Sequence, residues 1–563
     1  MDKEVKSKTF KDPVYGYIEI DDCLIKNIID TPAFQRLRNI IQTSYTPLYS
    51  TALHNRFTHS LGVYHLGKIA FQNIEKNFIK YNQDKNEDIN KIANNKTDFL
   101  LACLLHDVGH APFSHLGEEF FCVNDLLGEL YSLLGAQKKS FKSDFKKSNK
   151  IAANHEFMSA VVALKTFSNI KDKEFFARCI TGYLYSKKND IRNCLISLLN
   201  SSVIDVDRLD YIIRDSFVSG YQNVSIDYVR LLTGMIAVYD NKEYKLVYHK
   251  SAMSVIEHVI FAHDSERKWV QNHPIILYEN SLVGYCIYKV DQYFSRIFKS
   301  LPKSKQYKIF CSKALTEEGI KYNNKMKISL FADEDIIYHI KSIKECNDEI
   351  TSEYFNRGAR RHALWKSEAE YVHLLNMYVV RVNWEKILSI FSFIHKKIDS
   401  FGCLQMINKK MLSKCNTELQ IAKKTIPNSA KAKREMDDKL ALLPLYRKYL
   451  ECFEDFAKQN ELEFDFFIVL ANEFKSSFSK IDINKLHIWF PDSQKSTPMK
   501  DILPSLTSTT SSYSHSYKKE NGFFYFYYKN KVGTKIEQDT KVNIQKNFWE
   551  KLCKELVEIY DSL

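Results

Sequence analysis

Glycine and proline are scarce in this chain, at 16 and 11 among 563 residues. That scarcity excludes collagen-like and Pro/Gly-rich low-complexity architectures and leaves room for long helices. The 12 cysteines are scattered singly from Cys23 to Cys553, and no CxxC pair occurs. Neither a disulfide framework nor a paired-cysteine zinc site is indicated, so reduced thiols are expected. No apolar stretch approaches the roughly 18 residues needed to span a bilayer, and no membrane partner is expected. The charged opening segment is unlike a secretory leader, which points to a cytoplasmic location. No internal repeat is found.

What is present points to an ordered, mostly helical protein. Hydrophobic residues make up 45% of the chain, enough for a sizeable core. The length suits two to four domains, or one large core with additions. Lys and Arg number 81 against 68 Asp and Glu, a net charge of +13. A surplus of that sign suits a polyanionic substrate or, less directly, a nucleic-acid surface.

Residues 8–20 read as a short extended segment punctuated by Asp12-Pro13 and Gly16. Leu24, Ile25, Ile28 and Ile29 recur at helical spacing, and helical periodicity is expected to about Leu195. Thr31-Pro32 reads as a cap followed by proline at the first helical position. Thr97 or Asp98 is expected to cap a helix that carries Phe99 to Leu105 into His106. Gly109 and Pro112 would end it, placing His106 and Asp107 in its last turn, where exposed carbonyls favour a cation. Lys138 to Lys150, with six Lys and one Asp, reads as a solvated insertion that could meet nucleic acid or a partner.

Helical pattern is expected again from His155 to about Cys286 and on through about Phe401. Lys409 to Lys439 reads as a long exposed helix. Lys485–Phe490 and Gly522–Tyr528 read as strands, Ser505–Ser516 as a loop, and Asn547–Leu563 as a final amphipathic helix. The expected divisions are an N-terminal segment over 1–50, a core over 51–290, a helical extension over 291–400 and an α+β region over 401–563.

Chemistry concentrates in three separated segments: His59, the pair His106-Asp107, and Asp207. An Asp at the end of an apolar run is costly to bury without a partner. Two imidazoles and two carboxylates suit one divalent ion such as Fe, Mn, Zn or Mg. Seven of the 17 histidines fall between His54 and His155. His110, His115 and His155 can donate protons or neutralise phosphate. Glu118 and Glu156 can orient them. Arg56 and Arg208 offer the donor fork that suits phosphate. Tyr211 and Asp215, four residues apart, can share one helix face.

These residues resemble the HD-domain phosphohydrolases, and more narrowly the deoxynucleoside triphosphate triphosphohydrolases. The likeness includes Asp12–Gly16, Ile29–Arg38, His54–Gly62, His106–His115, Asn154–Glu156 and Asp205–Asp215. It is strongest over residues 8–290 and weaker through Leu330–Asp333 and Arg360–Lys366. The resemblance implies a mostly α fold, a helical HD core with a smaller α+β C-terminal region. It implies one transition metal (Fe, Mn or Zn) held by His59, His106, Asp107 and Asp207, with Mg2+ accompanying the nucleotide.

It implies cleavage of a dNTP at the α-phosphorus to a deoxynucleoside and inorganic triphosphate. His110, Glu118 and His155 would form the acid/base set. Arg56, His115, Arg208 and Tyr211 would hold the phosphates, and Gln42 and Asp215 would read the sugar 3′-hydroxyl. Arg208 stands where relatives carry Lys. Asp30, Gln35 and Arg38 occupy positions that read an activating nucleotide in some relatives. A homo-oligomer, tetramer or hexamer, is implied, as is a role in dNTP depletion, for pool homeostasis or antiviral defence. Gln271-Asn272-His273-Pro274 departs from the family pattern, which leaves base selectivity open. Two other readings remain: an HD phosphodiesterase or phosphatase acting on another nucleotide, and a nucleotide-sensing or nucleic-acid-binding HD protein.

Overall fold

The structure, a computed structural model, describes residues 6–82, 86–148, 150–221, 225–299, 308–321, 327–400, 406–424, 430–471, 485–503, 523–531 and 538–562. It is mostly helical, with small sheets. The chain divides into two compact units. The first comprises Met1–Val270, Cys286–Asn347 and Ser476–Ser512. The second comprises Gln271–Tyr285, Asp348–Lys475 and Tyr513–Leu563.

The first unit opens with an antiparallel hairpin, Ser7–Asp12 paired with Gly16–Asp21. Gly16 sits in its turn at φ +79°, a conformation glycine adopts without strain. Ile18 and Ile20 alternate into the core. After a helical turn at Asp22–Leu24, residues Ile25–Ile29 form a wider π-type turn. Pro32 then starts a short helix, as the Thr31-Pro32 pair predicts. Two long helices, Arg56–Tyr81 and Asn86–Leu105, form the centre. They pack through Phe71 against Phe99, ring centroids 5.7 Å apart. Gly67 admits the Cys103 thiol to the interface.

Two expectations are corrected here. The helix carrying Phe99 begins at Asn86, so Thr97 and Asp98 lie inside it and cap nothing. Asp98 is buried and accepts the backbone N–H groups of Lys171 and Asp172 at 3.0 and 2.8 Å. Its carboxylate therefore anchors another segment. The helix also ends at Leu105, leaving His106 and Asp107 in the turn just beyond it.

The expected helical stretch from His155 to Cys286 is interrupted by a hairpin, Met235–Asp240 with Glu243–His249. Asn241 and Lys242 both have positive φ, 50° and 65°, as a tight two-residue hairpin turn requires. His487–Phe490 adds to this hairpin as a parallel neighbour, with Ile488 opposite Tyr248. Lys495–Pro498 completes the four-stranded sheet. The lysine-rich insertion is helical over Lys138–Lys147. Phe141 is buried, and Asp144 pairs with buried Arg178 at 2.8 Å.

The second unit is built around a sheet ordered His362–Ala363, Phe523–Tyr528, Asp465–Ala471, Met406–Asn408. All six residues of Phe523–Tyr528 are buried. Phe524 stacks on Phe391 at 4.0 Å and lies 5.4 Å from Trp365. Trp365 stacks on Trp549 at 5.1 Å and donates its indole N–H to the Phe524 carbonyl. The segment expected as one exposed helix forms two, Lys409–Lys424 and Ala430–Gln459. Met411 and Cys415 of the first are fully buried, so this helix is amphipathic. The C-terminal helical region begins at Gln538 and runs to Asp561 through a π-type stretch at Phe548–Cys553. The expected loop over Ser505–Ser516 lies outside the described residues.

Candidate metal centre

Three local structures deliver the first cluster. Asn55 caps the Arg56–Tyr81 helix by accepting the Thr58 N–H at 3.1 Å, which places His59 in its first turn. The turn after Leu105 carries His106 and Asp107. Asp205 caps the Val206–Ser219 helix through the Arg208 N–H at 2.8 Å, which places Asp207 in that helix's first turn. His59, His106 and Asp207 each offer one ligand atom, and these atoms lie within 4.8 Å of one another. His59 Nε2 is 3.2 Å from His106 Nε2 and 3.0 Å from Asp207 Oδ1. Asp107 Oδ2 stands 3.5 Å from both imidazole nitrogens.

The surrounding hydrogen bonds prepare these rings. His106 Nδ1 donates to the Cys103 carbonyl at 3.0 Å. The helix end thus acts on the cluster by fixing an imidazole. His59 Nδ1 donates to buried Asp210 at 2.7 Å. Each bond uses the Nδ1 proton and turns Nε2 toward the cluster, the tautomer a metal needs. Asp210 is in turn held by Arg214, whose other partner is Asp12 at 2.9 Å.

The electrostatics call for a cation. Burial works against charge on His59, yet its bonds to Asp207 and Asp210 raise its pKa to about 10. Burial would likewise raise Asp107, but Arg56, His106 and His110 hold its carboxyl well below the usual range. Partial burial works against charge on Asp207 too, but His106 and His59 hold its carboxyl below the usual range. Two imidazoles and two carboxylates with preset ring orientations fit a divalent ion.

A second group lies beside the first. His110 is fully buried, with Nε2 3.2 Å from Asp107 Oδ1. It stacks on His155 at 4.2 Å between ring centroids. Glu118 accepts from His115 Nδ1 at 2.8 Å and from His155 Nδ1 at 2.6 Å. These imidazoles keep the Glu118 carboxyl low despite its burial. Burial pushes the His110 pKa down. Glu118 overcomes the same effect at His155 and raises it. Glu156 instead serves the backbone, accepting the Ala153 N–H at 2.8 Å.

Arg56 donates to Asp107 at 2.7 Å and to Ser114 Oγ at 2.9 Å. Phe113 and Ser114 both hold positive φ, 58° and 57°, a strained conformation for non-glycine residues. Asp333 secures that turn by accepting the N–H groups of Phe113 and Ile41 at 2.6 and 2.8 Å. Arg208 reaches the Val203 carbonyl, and Tyr211 sits half-buried three residues further on. Asp215 is buried and bonded to His54 Nε2 at 2.6 Å. Gln42 is buried too, and its side-chain oxygen has no hydrogen-bond partner among the described residues.

Earlier in the sequence, Arg38 donates to Gln35 at 2.8 Å and lies 3.6 Å over the Phe57 ring. Gln35 donates to the Ile29 carbonyl. These two are brought together, and Asp30 is exposed at the turn before them. Sequence reasoning missed His54, Asp210, Tyr45 and Glu266. Tyr45 donates to buried Glu266 at 3.1 Å in a small cleft that Asp215 also lines.

Residues 56–201 match the HD domain family, and Asp207 lies just past the matched stretch. More particularly, the chain is similar to the deoxynucleoside triphosphate triphosphohydrolase SAMHD1 homolog of Dictyostelium discoideum. Identity there is 32% over 230 residues, covering 40% of this chain and 39% of that one. It is 27% identical over 368 residues to uncharacterized protein YwfO of Bacillus subtilis, covering 63% and 71%. It is 29% identical over 256 residues to uncharacterized protein MG461 of Mycoplasma genitalium, covering 45% and 53%. The matched region thus spans about half of the latter relative's length. No helix among the described residues is long and apolar enough to cross a membrane.

Proposed function

We propose that this protein is a metal-dependent phosphohydrolase that cleaves a dNTP at the α-phosphorus, releasing a deoxynucleoside and inorganic triphosphate. The observation that carries the reading is the convergence of His59, His106 and Asp207 within 4.8 Å, with Asp107 3.5 Å from both imidazoles. A divalent ion held by these four residues would lower the pKa of a water and polarise a phosphoryl oxygen. The likeness to SAMHD1 proteins supports the choice of a deoxynucleotide.

The chain's own residues account for the rest. Arg56, Arg208 and Tyr211 supply donors to phosphate oxygens, with His115 at the exposed rim. Glu118, His110 and His155 form a contiguous polar group beside Asp107, where a proton can be held or passed. The unpaired oxygen of Gln42 and the carboxylate of Asp215 are acceptors for a sugar hydroxyl. Asp30, Gln35 and Arg38 are proposed to meet an activating nucleotide in a homo-oligomer.

The test is a panel of dNTPs, NTPs and cyclic dinucleotides, offered singly and in pairs, with products separated by chromatography. Triphosphate release from dNTPs is the expected result. Release of phosphate or pyrophosphate instead, or turnover of cyclic dinucleotides alone, refutes it.

A further inference from the structure

We propose that Asp333 is a positioning residue: its carboxylate ties the Ile41 loop to the Phe113–Ser114 turn and, through Ser114, aims Arg56. The proposal deepens the phosphohydrolase reading. It rests on that reading for what Arg56 meets, though not for the tie itself.

Asp333 lies 292 and 220 residues beyond the two donors it joins. Each of its oxygens takes one backbone N–H, Oδ2 from Ile41 at 2.8 Å and Oδ1 from Phe113 at 2.6 Å. Bonds from N–H groups to an ionised carboxylate are among the strong ones. Ser114 joins the same two segments a second time. Its hydroxyl donates to the Ile41 carbonyl and accepts from Arg56 Nε at 2.9 Å. Arg56 in turn reaches Asp107 at 2.7 Å. A run of bonds thus leads from Asp333 to the edge of the first cluster.

Backbone strain is the second observation. Phe113 and Ser114 stand in succession at φ 58° and 57°, and Leu330 on the segment of Asp333 stands at 55°. Such residues persist only where the surrounding structure over-determines them. The N–H that Asp333 accepts from Phe113 belongs to the first strained residue of the turn. Arg36 holds the same segment from the other side. Its buried guanidinium donates to the Phe331 carbonyl at 2.7 Å and to the carbonyls of Val108 and His110 at 3.1 and 2.7 Å. The stretch Leu330–Asp333 is therefore bonded at both ends of the turn that follows His106-Asp107.

Both N–H bonds need the ionised carboxylate, because a protonated oxygen would turn its hydrogen toward a donor. Burial, with Glu334 adding to it, pushes the Asp333 carboxyl up to about 7, against the pull of the two N–H groups and Arg36. Measurement at pH 8 keeps it charged.

The test compares the full chain with its Asp333→Asn and Asp333→Ala variants at pH 8. Asparagine keeps the shape and one accepting oxygen, and alanine keeps neither. Amide hydrogen exchange is read by mass spectrometry, binding of inorganic triphosphate by titration calorimetry, and turnover by steady-state kinetics. Exchange should rise in the peptides that hold Ile41 and Phe113, more for alanine than for asparagine, while the Arg56–Tyr81 helix stays protected. Triphosphate affinity and kcat/KM should fall by about 100-fold for alanine, the effect of a misplaced binding group, and by less for asparagine. Wild-type protection in both variants overturns the proposal. So does raised exchange with unchanged triphosphate affinity and turnover, which would leave Asp333 a merely structural residue. A uniform rise in exchange along the whole chain in both variants overturns it as well. Hydrolysis of no nucleotide by the wild type, with the exchange and triphosphate effects present, would sink the functional reading alone. Triphosphate release from dNTPs undiminished in both variants would sink this inference alone.

Discussion

Asp207 closes the first cluster from the Val206–Ser219 helix, apart from both histidines, and it remains partly exposed at 41%. Its removal therefore leaves the core intact while opening the metal site. Asp207→Ala is expected to fold with unchanged thermal stability within about 1 kcal/mol. It should lose the ion bound there and at least a hundredfold in turnover, on the order of a lost electrostatic stabiliser. Metal analysis and rate measurement on the same sample check this. Asp210 is a positioning residue. Asp210→Asn weakens its bond to His59 and its ion pair with Arg214, and should reduce metal affinity about 10–100-fold. Dialysis against graded metal concentrations checks it, and retention of wild-type affinity would contradict it.

The sequence order of the cluster is legible because His106-Asp107 ends an apolar run and Asp207 follows another. Asp210 is not. In Asp207-Arg208-Leu209-Asp210 it reads as a surface helix acid, and only the position of His59 gives it a task. His54 is hidden for a similar reason, since its partner Asp215 is 161 residues away.

At the scale of elements, Gly109 joins the metal turn to the Asn154–Thr166 helix. A methyl group there would collide with the Ser159 and Met158 backbone. Gly109→Ala should push that helix away, lowering stability by about 1–3 kcal/mol and displacing His155. Denaturant melts will show the first effect. A changed pH profile of hydrolysis will show the second. The hairpin Met235–His249 shows where sequence periodicity misleads. Its strands carry Tyr, Val and Ile with Asn241 at the turn, but flanking helices extend the 3.6-residue pattern across it. The long helix from Asn86 is misread at its start because its first turns, through Asn95 and Lys96, are mostly polar. An internal Asp98 then mimics a cap.

At the scale of the whole molecule, the second unit contains one guanidinium serving two acids. Arg361 pairs with buried Glu353 and, at 2.6 Å, with Asp465. Burial, reinforced by Glu353, raises the Asp465 pKa to about 6 although Arg361 pulls it down. The folded state then holds a proton that the unfolded chain releases near pH 4. Stability from this group is fully present below about pH 4 and is lost as pH rises to about 6, by up to about 1.4 kcal/mol per unit. Asp465→Asn should remove that slope. Unfolding of both proteins between pH 4 and 7 checks it, and a parallel dependence in the two would refute it. Trp365→Ala should destabilise the same unit by about 3–5 kcal/mol, read by denaturant titration.

The strand His487–Phe490 lies beside Glu243–His249, about 240 residues earlier in the chain. Trp489 packs with Ile236, Val238 and Val247. During synthesis, that earlier hairpin emerges from the ribosome long before its neighbour exists. One edge of the hairpin must wait uncovered until translation has passed residue 490, and in that interval it is a natural client for a chaperone.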